Sequence, residues 1–323
     1  MRNPYLHFVN AVTASVEEAK RLPLGTAPAP ERPRLDGAVP VALIFSPHPD
    51  DECIMGTLPL RLLHECGVRI VNVAVTLGSR KDRRSERLAE LRNACDFLGF
   101  ELVNLSEQGL EQVNQAGRSG DPEGWGEKVQ LVRAVLARRR PDVIFLPHAQ
   151  DWNSTHEGTH RLILDALAEL GDDVRCAVLQ TEFWHPMYNP NLMVEADARL
   201  VADQVAATTL HVGEVRRNPY HLTLPAWMQD NVRRGAEIVG GQGGAAPDFD
   251  FATLYRLSEW RDGALRDREP TQAIIGCNDR PDAALPLVPQ ASLPAMSAAA
   301  GRDEFTPKSH IVGFQRPGRP VSS

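Results

Sequence analysis

Residues 39–52 read VPVALIFSPHPDDE, and this stretch decides how the rest of the chain is interpreted. Its first part, 39–46, is a short apolar run bounded by polar residues, which predicts a buried strand. An imidazole and three carboxylates follow at once, within residues 48–52. The strand therefore runs directly into a crowded acidic cluster, at the end of a strand where ligands sit in open α/β sheets.

Further strands and helices alternate after this point. Short apolar or β-branched runs predict strands at 68–76, 101–105, 142–146 and 174–181. Helical spacing, with Gly or Pro at the stops, predicts helices at 82–98, 127–139 and 156–170. This alternation is typical of an α/β fold with a Rossmann-like, mostly parallel sheet and helices on both faces.

The chain ends are less regular. A helix at 9–21 and a Pro-rich connector make up an N-terminal segment, 1–37, before the main domain at 38–278. Two more helices are expected at 196–207 and 225–239, and an aromatic-containing segment at 249–260 has no assigned structure. From 279 to 323 the composition turns to Pro, Ala and Ser, which predicts a loosely docked C-terminal extension.

Composition excludes several classes of protein. The 323 residues carry 35 Lys and Arg against 42 Asp and Glu, and a net charge of −7 argues against nonspecific binding of nucleic acid. The apolar runs are far shorter than the roughly 20 residues of a membrane-spanning helix. The five cysteines form no Cys-x-x-Cys pair, so we expect neither a disulfide framework nor a cysteine zinc site, and the cytoplasm is the expected compartment.

The acids after the first strand are electrostatically costly unless a cation compensates them, with capping of the following helix as the alternative role for one of them. His48 together with a neighbouring carboxylate provides half of a zinc ligand set, and two adjacent acids allow one to bind metal while the other acts as a base. A second polar cluster, 147–160, follows the strand at 142–146, and it should face the same crevice. His156, at the start of the next helix, is well placed to complete the ligand set.

A competing pattern overlaps this second cluster. Residues 156–160, HEGTH, match the His-Glu-x-x-His motif of zinc peptidases, in which His156 and His160 would bind the metal. The longer metzincin motif does not continue, because Ile163 and Ala166 stand where Gly and His are required. The peptidase hypothesis also leaves the cluster at His48 without a purpose.

Residues 46–52, SPHPDDE, and the later Asp151-x-Asn153-x-x-His156 resemble the LmbE/PIG-L family of metal-dependent N-deacetylases over roughly residues 38–200. The resemblance implies a hydrolase that removes acetyl from an N-acetylglucosamine-type sugar or conjugate, with zinc, or alternatively Fe²⁺, as its metal. It also implies association into homo-oligomers. The implied metal ligands are His48, Asp51 and His156, and the implied general base is Asp50.

The sequence departs from this family at one position. Many members have a histidine where this chain has Asn153, and an amide can donate a hydrogen bond to an oxyanion but cannot carry a proton. The proton would then come from His160, His185 or His221. These three histidines and Arg87, which matches a family arginine near the sugar, form the predicted substrate-binding set. The departure also keeps open a metal- or sugar-binding protein without turnover.

Overall fold

A nine-stranded sheet runs through the described part of this computed structural model, which covers residues 3–171, 174–285 and 287. The strands lie in the order β3-β2-β1-β4-β5-β7-β6-β9, and β8 pairs with β7. Their bounds are Val41–Ser46 (β1), Arg69–Ala74 (β2), Glu101–Asn104 (β3), Val143–Pro147 (β4), Cys176–Thr181 (β5), Leu192–Ala196 (β6), Phe251–Arg261 (β7), Ala264–Asp267 (β8) and Ile274–Ile275 (β9).

Helices connect these strands and cover both faces of the sheet. They are Leu6–Ala19 (α1), Asp51–Ile54 (α2), Leu58–Cys66 (α3), Arg84–Leu98 (α4), Gln115–Gly120 (α5), Pro122–Arg139 (α6), Ser154–Leu170 (α7), Ala198–Thr208 (α8), Val212–Arg217 (α9) and Leu224–Ile238 (α10). In the described ranges, none of them is long and apolar enough to cross a membrane.

Strand β1 shows why the sheet is buried on both sides. Ala42 and Ile44 point into the core formed with α3 and α4, whereas Leu43 and Phe45 point into the core formed with α6 and α7. Successive side chains of a strand alternate between faces, so a continuous apolar run fits a strand covered by helices on both sides. The predicted α/β class is confirmed: strands β1 to β5 are parallel, and each antiparallel pairing between the described strands involves β7.

The crevice for a site follows from the strand order. β1 pairs with β2 on one side and with β4 on the other, so the chain order reverses between β1 and β4. In open α/β sheets, ligands bind outside the carboxyl ends of the strands at the position where the strand order reverses in this way. The segments that follow β1 and β4 are the two polar clusters of the sequence.

The later strands differ most from the sequence expectations. Segment 249–260, which had no assigned structure, contains most of β7, the longest strand of the sheet. Its polar Thr253, Ser258 and Glu259 are buried along with its apolar residues, so the segment shows no alternation of polar and apolar positions. Short helices such as α2 and α9 were also not predicted, because their sequences lack the apolar periodicity of a helix.

The two ends of the chain contrast in their packing. Helix α1 forms three residues earlier than expected and buries none of its side chains. Within the predicted extension, Ala284 and Leu285 are buried in the core against α3 and α4. The remainder of segment 279–323, apart from residue 287, lies outside the described residues. All five cysteines are described and none forms a disulfide.

Candidate active site

The turn between β1 and α2 separates three consecutive acids. Asp50 has a φ of 115°, in the left-handed region that side chains other than glycine rarely adopt. Its N–H donates to the Glu52 Oε2 at 3.0 Å, while the His48 N–H donates to the Asp51 Oδ2 at 2.8 Å. These two bonds fix the corner and send the three carboxylates to different places.

Asp51 meets His48, which follows β1, and His156, in the first turn of α7. Its Oδ2 lies 3.5 Å from the His48 Nδ1 and 3.4 Å from the His156 Nε2, and the two nitrogens are 3.2 Å apart. Each of the three side chains has one donor atom, and these three atoms all lie within 4.8 Å of one another. Two imidazole nitrogens and one carboxylate oxygen are the donor set of three-ligand zinc sites, so these residues fit a divalent cation.

The charges around this group also favour a cation. Burial would raise the pKa of Asp51, but His156 and His48 hold it well below its usual range. Burial would lower the pKa of His156, but the negative charges of Asp51 and Asp151 raise it to about 10. The same negative field that favours a proton on His156 would favour a metal ion at that position.

Asp151 supports His156 from behind, a role that the sequence analysis did not assign. Its Oδ2 lies 3.6 Å from the His156 Nδ1, on the far side of the ring from Asp51. Its Oδ1 accepts from the Asn153 N–H at 2.8 Å, and its Oδ2 accepts from the Trp184 N–H at 3.3 Å. A carboxylate behind a ligating histidine orients the ring toward a metal, and Asp151 is placed for that task.

Asp50 faces the cavity next to the donor group. Burial and the neighbouring Asp51 raise its pKa to about 6. The Tyr220 hydroxyl donates to its Oδ2 at 2.6 Å, and the Arg87 guanidinium lies 3.9 Å from its Oδ1. A carboxylate with a pKa nearer neutrality, on the wall of a cavity, is suited to accept a proton from water.

A cavity of about 550 Å³ opens above these residues. Its wall includes His48, Asp50 and Asp51 from the β1 corner, and Asn153 from the start of α7. Charges of both signs complete the wall: Lys81, Arg84, Arg87 and Arg217 against Glu111 and Glu214. The site is therefore polar, with hydrogen-bonding groups of the kind that a sugar requires.

Besides His48, Asp50 and Asp51, two further predicted residues, Arg87 and Asn153, line this cavity. An Arg87 Nη atom donates to the Pro49 carbonyl at 2.8 Å, which fixes the guanidinium beside Asp50. Asn153 is the N-cap of α7, and its Oδ1 accepts from the Thr155 N–H at 2.9 Å. Because the amide oxygen is used in the cap, the amide nitrogen is the group of Asn153 suited to donate to a substrate.

The three other predicted histidines are not among the residues that line it. The buried His160 has its Nδ1 2.8 Å from the Pro147 carbonyl, and it does not join the His48 group among the described residues. His185 is exposed, with its carbonyl oxygen 2.8 Å from the His148 Nε2, and His221 is buried. His160, which the peptidase hypothesis pairs with His156, is therefore held at the Pro147 carbonyl and is not part of the described donor group.

Two residues from the C-terminal part were missed by sequence reasoning. His221 was selected, but its neighbour Tyr220 is the residue that reaches Asp50. His211 is fully buried, and its Nε2 lies 2.6 Å from the Glu52 Oε1. Neither residue follows a recognisable strand or lies in a motif, so their place in the site depends on the path of the chain after α8.

Comparison with known proteins agrees with this site. The family model described as PIG-L, GlcNAc-PI de-N-acetylase, matches residues 43–167, which include every residue of the donor group. No curated protein sequence matches the chain.

Three solved structures share the fold. A conserved protein from Thermus thermophilus superposes with a TM-score of 0.52 at 22% identity, over 66% of this chain and 92% of its own. A deacetylase of the teicoplanin biosynthesis pathway superposes with a TM-score of 0.50 at 15% identity, over 68% of this chain and 98% of its own. The 4-carboxy-2-hydroxymuconate hydratase of Pseudomonas putida superposes with a TM-score of 0.51 at 15% identity, over 68% of this chain and 96% of its own.

The family match covers the corner after β1 and most of α7, which supply His48, Asp51 and His156 of the donor group. Residues 43–167 of this chain are therefore similar to the PIG-L (LmbE-like) deacetylase family.

Proposed function

We propose that this protein hydrolyses the acetamide group of an N-acetylglucosamine-type sugar or conjugate and releases acetate. The observation that carries the proposal is the shared cavity: His48 and Asp51 of the donor group and the neighbouring Asp50 line the same polar space. The buried His156 completes the group, 3.2 Å from His48 and 3.4 Å from Asp51. The fold alone would not suffice, because one structure that shares it is a hydratase.

His48, Asp51 and His156 would hold the divalent cation. When bound, such a cation polarises an amide carbonyl and lowers the pKa of water. The residues match zinc in donor type, so we propose Zn²⁺, with Fe²⁺ as the alternative metal.

Asp50 would act as the general base. Its Oδ2 is held by Tyr220, which leaves Oδ1, the atom nearer Arg87, to take the proton from the attacking water. The Asn153 amide nitrogen would donate to the developing oxyanion.

The same carboxyl would return the proton to the leaving amine. His48 is the one histidine among the described residues that line the cavity, and it is assigned to the metal. The three histidines proposed from sequence do not line it, whereas Asp50, neutral after the first step, does. A single acid–base residue would therefore perform the task that the histidine at position 153 performs in many relatives.

The finer expectations from sequence remain part of this proposal. We propose that the protein acts in the cytoplasm, which agrees with its unpaired cysteines, and that it associates into homo-oligomers.

Acetate release from a panel of N-acetylated amino sugars tests the proposed function. The metal-loaded protein should release acetate and a free amine, His48→Ala should lose metal and activity, and His160→Ala should keep its metal. Loss of metal in His160→Ala, together with cleavage of a peptide, would establish the peptidase instead. Stoichiometric metal with sugar binding but no acetate would establish a binding protein without turnover.

A further inference from the structure

A second, smaller cavity lies beside the proposed catalytic centre, and the mechanism above places no part of the substrate in it. Its volume is about 140 Å³. Six of its lining residues are aliphatic or aromatic: Ile54, Phe183, Trp184, Tyr220, Leu224 and Trp227. The wall therefore suits an apolar ligand group rather than a sugar ring.

Two wall residues touch the reacting groups directly. The Tyr220 hydroxyl donates to Asp50 at 2.6 Å, and the Phe183 ring packs edge-on against the His156 ring with centroids 4.9 Å apart. Trp184 lines this cavity and the larger one. The small cavity thus shares a wall residue with the larger one and is bounded by side chains that contact Asp50 and His156.

The one acid in this wall does not make the cavity polar. Glu182 is buried, and its carboxylate accepts from both terminal nitrogens of Arg234, at 2.9 and 2.7 Å. The Met187 N–H donates to it as well, at 2.6 Å. Because its charge and its lone pairs are already satisfied by the protein, Glu182 does not require a polar ligand.

We propose that this cavity receives the acyl chain of the substrate, and that the protein removes N-acyl groups longer than acetyl. This inference rests on the proposed function. An acetyl group has only a methyl beyond its carbonyl, whereas 140 Å³ accommodates roughly four or five groups of the size of a water molecule, which takes about 30 Å³ in the liquid. The substrate class is an amino sugar with a short apolar acyl chain of about four to six carbons.

Activity on a series of N-acylated glucosamines tests the proposal. From N-acetyl through N-butyryl to N-hexanoyl, kcat/KM should rise by up to roughly fourfold per added methylene, since burying one is worth about 0.8 kcal/mol. It should fall again once the chain exceeds the cavity. A flat or steadily falling series would overturn the inference.

Two variants and one control locate the effect. Trp227→Ala should move the preferred acyl length to longer chains, and Ile54→Phe should reduce hexanoyl turnover about tenfold while leaving acetyl turnover nearly unchanged. Tyr188→Ala removes an aromatic ring that is 90% exposed and should change neither. An unchanged length preference in folded Trp227→Ala and Ile54→Phe, both checked by thermal unfolding, would contradict the proposal.

A second substrate tests whether the cavity binds the acyl group or the aglycone. The octyl glycoside of N-acetylglucosamine carries its apolar chain at the other end of the sugar. Turnover that rises with this chain, and not with the acyl chain, would assign the cavity to the aglycone and overturn the proposal.

Binding to the unloaded protein separates this inference from the proposed function. Trp184 and Trp227 line the cavity, so their fluorescence should respond to hexanoate at lower concentration than to acetate. If the protein hydrolyses N-acetylglucosamine but its kcat/KM does not depend on acyl length, the acyl-chain inference is wrong and the proposed function stands. Absence of turnover on every N-acyl sugar would defeat the proposed function, and with it the acyl assignment, even if hexanoate binds.

Discussion

Two clusters of acids and histidines are built on the adjacent residues Asp51 and Glu52, and they differ in what they can do. Asp51 meets His48 and His156 at the edge of the large cavity. Glu52, the next residue, meets His211 inside the protein, with both side chains fully buried, and Cys53 lies 3.1 Å away.

The difference between these clusters shows that residue type alone does not make a catalytic site. Both groups have donor atoms within 4.8 Å of one another, but only the first borders space that a substrate could occupy. In the second, the Glu52 Oε1 lies 2.6 Å from the His211 Nε2, and the Glu52 Oε2 accepts from the Asp50 N–H. The inner cluster therefore serves to hold the corner on which the outer cluster is built.

The largest effect should follow loss of an outer histidine. His156→Ala removes a donor that two carboxylates orient, so the variant should lose its bound metal and its turnover should fall to background. Metal content per chain and acetate release measure both. Full metal occupancy in this variant would show that the outer cluster is not the metal site.

Asp50→Asn should separate catalysis from metal binding. The amide cannot accept the proton from water, so turnover should fall by about 10²–10⁴-fold while the metal content stays unchanged. The matched comparison is His48→Ala, which should lose the metal itself. Retention of near-normal turnover in Asp50→Asn would remove this residue from the mechanism.

His211→Ala should act on stability rather than on metal content. It leaves Glu52 as a buried charge without its partner, which should lower the free energy of unfolding by about 3–5 kcal/mol. Arg233→Ala breaks the exposed pair with Asp230 and should cost less than about 1 kcal/mol. Urea unfolding compares the two variants, and equal stability losses would contradict the structural role of the inner cluster.

Tyr220→Phe should have the smallest effect. It removes one hydrogen bond to the Asp50 carboxylate and keeps the aromatic ring, so turnover should fall roughly tenfold. Acetate release measured at saturating substrate checks this, with metal content as the control. A loss as large as that of Asp50→Asn would mean that the hydroxyl takes part in proton transfer.

Several features could be predicted from the sequence because they depend on local pattern. The run at 39–46 has the apolar character of a strand covered on both faces, and β1 forms within it. The clusters after β1 and β4 were expected to face one crevice, and the structure places ring nitrogens of His48 and His156 3.2 Å apart. The residues proposed as metal ligands could be predicted from the sequence because the residue motif and its position after a strand point to the same side chains.

Other features could not be predicted because they depend on long-range packing. Tyr220 comes from a turn far along the chain, 170 residues after Asp50, and no periodic signal marks it. His160 and His185 were selected because they follow predicted strands, and His221 as a histidine of the less regular C-terminal part, but none lines the cavity that the structure describes. Strand β7 was missed because its buried polar residues hide the alternation typical of a strand.

By itself, the sequence determined the parallel α/β core and the positions of the acids and histidines along it. Local periodicity and strand-end placement are sufficient for that, because they follow from neighbouring residues. Tertiary structure alone decided which acid faces the cavity. The left-handed turn at Asp50 sends Asp51 to the donor group, Glu52 to His211 and Asp50 to Tyr220. Three adjacent carboxylates thus acquire three different roles, because each meets a partner brought from a distant part of the chain.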